Sequence, residues 1–155
     1  MKGRITKLGA VALATAIGFA AIASWGQASD PITERRDAMK GNGAAMKAIN
    51  ETLEKGGSAA DLAPHAAKLN DTAMKLATLF PAGSDQPQGK DPGQTMAKPE
   101  IWQNPDDFAA KVKTFQEEAV MFQTAVAGGD MGVIKAEFEK LGGACGGCHK
   151  AYRAK

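Results

Sequence analysis

The feature that most constrains this chain of 155 residues is a motif near its C-terminus, Cys145-Gly146-Gly147-Cys148-His149. On an α-helix, positions 145, 148 and 149 lie on one side within about one turn, so a single helical segment can present two thiols and an imidazole together. This C-x-x-C-H spacing is the pattern of covalent haem attachment, in which both thiols bond to the haem and the imidazole ligates the iron. The two cysteines are also the only ones in the chain. The sequence therefore predicts one covalently bound haem c per chain.

Three other uses of a C-x-x-C motif fit this chain less well. A thioredoxin-like dithiol is expected beside a strand in a βαβ unit, and no convincing strand precedes this motif. A structural zinc ion needs four ligands, and His65 is the only further cysteine or histidine that could join the set. A disulfide between residues three apart closes too short a loop to stabilise the fold much. Haem attachment is the interpretation that uses all three side chains of the motif.

The first 28 residues have the order of a signal peptide. Three basic residues precede a nearly continuous run of small apolar side chains over residues 8–23, and Gly26 and Ala28 supply small residues at a cleavage site. A membrane anchor is the alternative, but the run is rich in alanine and short for a span of about 20 strongly apolar residues. We therefore expect export to the periplasm, cleavage of residues 1–28, and a mature chain that begins near Ser29 and is not held at a membrane.

Cleavage changes the charge of the chain. Three of the 19 basic residues and none of the 17 acidic ones lie within residues 1–28, which leaves the mature chain near −1. The basic pI of the full sequence is thus no indication of a nucleic-acid partner. The length of residues 29–155 predicts a single domain.

Local signals predict four helices in the mature chain. The helical segments are marked by proline in the first turn, by acidic or amide caps, and by glycine pairs at the ends. Between residues 81 and 103 the chain carries four prolines and three glycines, so we expect a long crossover loop without a helix. The expected helices cover 31–55, 58–80, the stretch from the cap Asn104 to Gly128-Gly129, and the stretch from the cap Asp130 to Tyr152.

The spacing of apolar residues predicts how these helices pack. In the last three helices the apolar positions alternate steps of three and four, and the first helix approximates that pattern. Such a seam packs helices at shallow angles, so we expect an all-α fold, an antiparallel up-down-up-down four-helix bundle. The seam of the last helix includes both cysteines, which places the haem inside the bundle: Ile134, Phe138, Leu141, Cys145, Cys148 and Tyr152.

These residues carry a family resemblance over essentially the whole mature chain. A four-helix chain whose final helix bears C-x-x-C-H followed by Ala151-Tyr152-Arg153 resembles the cytochrome c′ family, and the segment 98–102, Lys-Pro-Glu-Ile-Trp, resembles a loop motif of that family. The resemblance implies Cys145 and Cys148 as thioether attachments, His149 as the proximal iron ligand, Arg153 near the proximal face, and Arg35, or the adjacent Arg36, near a haem propionate.

On the other face of the iron the sequence departs from the five-coordinate members of that family. Met39 lies four residues after Arg35, where those members resemble one another in having a bulky side chain that does not bind iron. A thioether is a good soft ligand for haem iron, so we predict Met39 as the distal axial ligand. Core packing without a bond to iron is the alternative for Met39, and Met46, two turns along the same face, is the alternative ligand.

Two functions follow from these assignments. With His149 and Met39 both on the iron, the protein is expected to carry single electrons between redox partner proteins whose identity the sequence does not give. The alternative is a five-coordinate cytochrome c′-like protein that binds nitric oxide or carbon monoxide. An enzyme is not expected, because no distal acid–base pair can be identified. The sequence leaves a monomer and a homodimer equally open.

Overall fold

We describe a computed structural model of the chain, which covers residues 30–155. The predicted signal peptide lies outside these described residues. Within them the fold is helical, and the only β-type pairing is two isolated bridges. The elements are α1 (Pro31–Glu54), α2 (Ala59–Lys75), a 3₁₀ helix (Leu76–Leu79), α3 (Glu100–Gln103), α4 (Pro105–Gly128) and α5 (Met131–Tyr152).

The caps of α1 and α5 explain where these helices begin. Asp30 accepts from the backbone N–H of Thr33 at 3.0 Å, and Pro31 occupies the first turn, where its missing N–H costs nothing. Asp130 accepts from the N–H groups of Gly132 and Val133 at 2.8 and 3.1 Å, which confirms the predicted start of the haem-motif helix.

The structure differs from the predicted helix boundaries at three points. The stretch 81–103, expected to contain no helix, includes the one-turn helix α3, which Pro99 can open because proline suits a helix start. Asn104 precedes α4 as expected, but its side chain donates to the carbonyl of Glu100 at 3.0 Å instead of capping α4. The predicted second helix also ends earlier, at Lys75, and continues as the 3₁₀ turn.

The four long helices form the predicted antiparallel bundle. α1 packs on α2, α2 on α4, and α4 on α5, whereas α1 and α5 hardly touch each other. The start of α1 meets the end of the 3₁₀ helix where Arg35 donates to Leu79, and the end of α5 meets the start of α4 where Tyr152 donates to Asp107. Successive long helices therefore run in opposite directions. The side of the bundle between α1 and α5 is open because these two helices hardly touch.

The apolar seams form the core as predicted. Six apolar residues of α4 at steps of three and four are buried, and Phe122, Ile134 and Leu141 are fully enclosed. The six are Phe108, Val112, Phe115, Ala119, Phe122 and Val126. On α5, by contrast, Phe138, Cys145 and Cys148 are only partly buried. Cys148 and Phe138 each border a cavity that residues of α1 and α5 line, and Cys145 lies on the same seam.

The crossover loop packs against the end of the bundle at which α1 starts and α5 ends. Ser84 and Thr95 are buried within it. Gly83, Gly89 and Gly93 adopt positive φ angles of 78°, 145° and 80°, which residues with a side chain rarely adopt. None of the helices in residues 30–155 has both the length and the apolarity to cross a membrane.

Candidate functional site

A cavity of about 400 Å³ opens between the start of α1, the crossover loop and the end of α5. It lies at the side of the bundle where α1 and α5 hardly touch. Its walls mix apolar side chains with thiol, thioether, imidazole and guanidinium groups. The lining residues are Arg35, Arg36, Asp37, Met39, Lys40, Phe80, Thr95, Met96, Ala97, Ile101, Phe108, Cys148, His149, Tyr152 and Arg153.

The haem motif occupies the last turns of α5, as predicted. Cys148 and His149 line the cavity directly, while Cys145, one turn earlier, is half-buried against the core. No disulfide joins Cys145 to Cys148. A Cβ atom added at Gly146 or Gly147 would meet nothing within 4 Å, so the two glycines of the motif border open space.

Burial keeps the motif in its neutral protonation states. It raises the pKa of the Cys145 and Cys148 thiols, and it lowers the pKa of His149, with a further contribution from the positive charge of Arg153. His149 is therefore a neutral imidazole at pH 7. Neutral imidazole is the form that binds a metal, so this environment is compatible with the prediction of His149 as an iron ligand.

An aromatic cluster fixes the end of α5 beside the cavity. The hydroxyl of Tyr152 donates to the Asp107 carboxylate at 2.5 Å, and this bond raises the pKa of Tyr152 to about 12. The Tyr152 ring meets Phe108 edge-on with centroids 5.4 Å apart, and Phe108 meets Phe80 at 4.9 Å. The position of His149, one turn before Tyr152, is thus tied to α4.

Met39 lines the same cavity as Cys148 and His149. It is half-buried and packs against the core, so its thioether lies on the α1 wall and the imidazole on the α5 wall. Met46 borders a separate cavity, with Phe138 and Gly142. The structure thus brings Met39, and not Met46, to the cavity of the haem motif.

Sequence reasoning missed one further thioether. Met96, in the crossover loop, lines the same cavity as Met39. Loop positions have no helical periodicity, and the one available signal is that Met96 lies two residues before the start of the segment 98–102. His65, considered as a zinc ligand, lies on α2 and is not among the lining residues.

The arginines of the cavity differ in their partners. Arg35 is buried, and its two terminal nitrogens donate to Leu79 O, Ser84 Oγ, Ser84 O and Thr95 Oγ1 at 2.7 to 3.0 Å. Arg36 donates to three carbonyls of residues 90, 91 and 94. Arg153 is exposed at the cavity wall. All three reach the cavity, but Arg35 also anchors the crossover loop.

The donor set and the shape of the cavity fit a covalently bound haem. Two thiols three residues apart lie beside a neutral imidazole, as thioether attachment and axial ligation require. A large flat apolar group would fill the gap between α1 and α5 and cover the half-exposed α5 seam. Within residues 30–155, no cluster of three or more histidine, cysteine and carboxylate side chains has the arrangement of a separate metal site.

Comparisons with known proteins agree with this fit. The family model described as Cytochrome C' matches residues 30–153. Cytochrome c-554 of Cereibacter sphaeroides is 37% identical over 109 residues, which cover 64% of this chain and 79% of that protein. Cytochrome c' of Rhodospirillum rubrum is 30% identical over 132 residues, covering 83% and 86%. A solved carbon monoxide-bound variant of cytochrome c prime from Alcaligenes xylosoxidans superimposes with a TM-score of 0.71 at 25% identity, covering 81% of this chain and 95% of that one.

Proposed function

Because this chain belongs to the cytochrome c′ family, whose cofactor is covalently bound haem c, we propose that it carries single electrons with His149 and Met39 as the two axial ligands. When bound, the haem supplies one-electron chemistry between ferric and ferrous iron. The observation that carries the proposal is that Met39 lines the same cavity as Cys148 and His149. A thioether opposite an imidazole favours electron transfer, because it leaves no open position on the iron and raises the potential.

Each of the other predicted site residues has a part in this proposal. Cys145 and Cys148 hold the haem covalently, and the environment of His149 keeps its ring neutral for the iron. Arg35 and Arg153 both line the cavity, where a guanidinium can neutralise a haem carboxylate. Export of residues 29–155 to the periplasm belongs to the same proposal, because haem attachment of this kind takes place outside the cytoplasm.

A second candidate function is the binding of nitric oxide or carbon monoxide. The comparisons favour it more directly than they favour electron transfer, since variants of cytochrome c prime from Alcaligenes xylosoxidans have been solved with carbon monoxide and as a nitric oxide complex, each 25% identical to this chain. In this chain, however, the candidate requires that Met39 packs against the haem without bonding to the iron.

Replacing the methionine separates the two functions. Met39→Leu keeps the apolar volume and removes the sulfur, at a packing cost below about 1.5 kcal/mol. We expect this holoprotein to lose the ferric charge-transfer band of a methionine–haem bond and to bind carbon monoxide rapidly when reduced. The matched control is Met46→Leu, which alters a methionine on the same helix outside the cavity.

The wild type is expected to show the methionine–haem band and to bind carbon monoxide slowly, and the control should keep both properties. A Met39→Leu protein that retains the methionine band would refute the assignment of Met39. The next residue to replace would then be Met96, because it lines the same cavity.

A further inference from the structure

The α1 and α5 walls of the cavity hardly contact each other, and the crossover loop connects them. Met39 lies on α1 and His149 on α5, and these two helices are the neighbours in the bundle that pack least. A bond from both side chains to one iron needs their separation held within a fraction of an ångström. Two indirect connections must therefore set the distance between α1 and α5: the packing through α2 and α4 and, beside the cavity, the crossover loop.

On the α1 side, the buried hydrogen-bond network of Arg35 holds the crossover loop. Arg35 lies one turn before Met39, and its Nη2 donates to Thr95 Oγ1 at 2.7 Å and to Ser84 O at 2.7 Å. Thr95 is 1% exposed and Arg35 is 3% exposed. Water is kept from these bonds, so they hold the loop to α1 more firmly than surface bonds would.

On the α5 side, the same stretch of loop pairs with the end of the haem-motif helix. The N–H of Lys98 donates to Tyr152 O at 2.9 Å, and the N–H of Ala154 donates to Met96 O at 2.8 Å. The Lys98 ammonium also donates to Ala151 O at 2.9 Å. Residues 95–98, which we name the loop strap, therefore contact α1 at one end and α5 at the other.

Thr95 joins the two halves of this connection. Its Oγ1 accepts both from Arg35 and from the backbone N–H of Ala97, the latter at 3.1 Å. Ala97 pairs in turn with Arg153 in an isolated antiparallel bridge. One hydroxyl oxygen thus links the helix of Met39 to the segment that binds the helix of His149.

We propose that the loop strap sets the spacing between Met39 and His149 across the cavity, and that Arg35 and Thr95 are positioning residues for the axial ligands. This inference rests on the proposed His/Met ligation. It assigns Arg35 a function through the loop, in addition to any contact with a haem carboxylate. Loosening the strap lets α1 move away from α5, and the weaker of the two ligands, the thioether, is then displaced more readily.

The test is Thr95→Val in the holoprotein, with Thr72→Val as the matched control. Both threonines are buried, and the control loses only a bond from Thr72 Oγ1 to Lys68 O within α2. The readout is the affinity of the reduced protein for carbon monoxide, which must displace Met39. We expect Thr95→Val to raise this affinity about five-fold or more, the lower end of coupling between linked sites, and Thr72→Val to leave it within about two-fold.

Amide hydrogen exchange at Lys98 and Ala154 distinguishes a failed inference from a failed function. If the wild type shows the methionine band and Thr95→Val binds carbon monoxide no more tightly than the wild type, the inference is overturned, and the exchange rates do not alter that result. If the wild type lacks the methionine band, the proposed function fails by itself. Exchange then tests the strap alone: faster exchange in Thr95→Val only would support it, and unchanged exchange would overturn it. Should Thr95→Val not fold, Arg35→Lys replaces it, and Thr72→Val remains the control.

Discussion

The anchoring of the crossover loop by one buried arginine predicts a large stability loss in Arg35→Met. Ser84 Oγ retains a bond to Pro81 O at 2.8 Å, and Thr95 Oγ1 retains the N–H of Ala97, so two of the four acceptors keep a partner. The carbonyls of Leu79 and Ser84 lose the donor that Arg35 provides. An acceptor left unsatisfied inside a protein costs about 1–3 kcal/mol, which gives roughly 2–6 kcal/mol for the two.

Two smaller effects modify this sum. The Arg35 guanidinium lies 4.8 Å from the centroid of the Phe80 ring, and losing this cation–π contact adds about 1 kcal/mol. In the other direction, burial lowers the pKa of Arg35, which means that burying its charge costs free energy. An uncharged methionine avoids this cost, so the net loss of stability is smaller. We therefore expect a net loss of about 3 kcal/mol, or roughly 10 °C in Tm for a domain of this size.

Guanidinium chloride denaturation of the holoprotein, followed by far-UV circular dichroism, measures the effect. The control is Arg36→Met, whose three carbonyl acceptors lie in or near exposed loop positions where water can replace the lost donors, so its cost should stay below about 1 kcal/mol. If both variants lose the same stability, or if Arg35→Met loses less than about 1 kcal/mol, the anchoring role assigned to Arg35 is refuted.

Three further predictions concern the cofactor, an ionisable side chain and the chain start. Cys145→Ala combined with Cys148→Ala should leave no haem on the polypeptide after denaturing extraction and should lower the helix content, because the core would hold a large cavity; bound haem that persists would contradict covalent attachment at these residues. The bond to Asp107 raises the pKa of Tyr152 to about 12. This bond therefore stabilises the fold fully below pH about 10, and the stabilisation is lost as the pH rises through about 12. Since the chain has one tyrosine, NMR of protein labelled with [¹³C]tyrosine reports this ionisation alone, and Asp107→Asn should return the midpoint towards 10. N-terminal sequencing of the purified protein should begin near Ser29 from a periplasmic fraction, and Met1 from a membrane fraction would replace export with anchoring.

The parts of the fold that local chemistry dictates could be predicted from the sequence. Caps such as Asp30 and Asp130 act on the next three residues, and the seam of α5 repeats at helical spacing, so the positions of Cys145, Cys148 and His149 followed from the residues themselves. The same periodicity placed Met39 on the inner face of α1, and the structure puts it in the cavity of the motif.

The crossover loop could not be predicted in this way. Its conformation depends on bonds from Arg35 to residues 44 to 60 positions away, and no local pattern encodes a partner at that separation. Met96 lines the cavity, and its carbonyl accepts from the N–H of Ala154, which is 58 residues further along the chain. The short helix α3 could not be predicted for a different reason: proline disfavours a helix interior but is tolerated at a helix start, and Pro99 directly precedes α3.

The central claim is that His149 and Met39 bind one iron from opposite walls of the cavity. It is tested most directly by the visible and near-infrared spectra of the wild-type holoprotein in its oxidised and reduced states. We predict low-spin iron in both states and a methionine–haem charge-transfer band in the ferric protein. A high-spin ferric spectrum without that band, joined to rapid carbon monoxide binding by the reduced protein, would contradict the claim and establish Met39 as a packing residue of a gas-binding site.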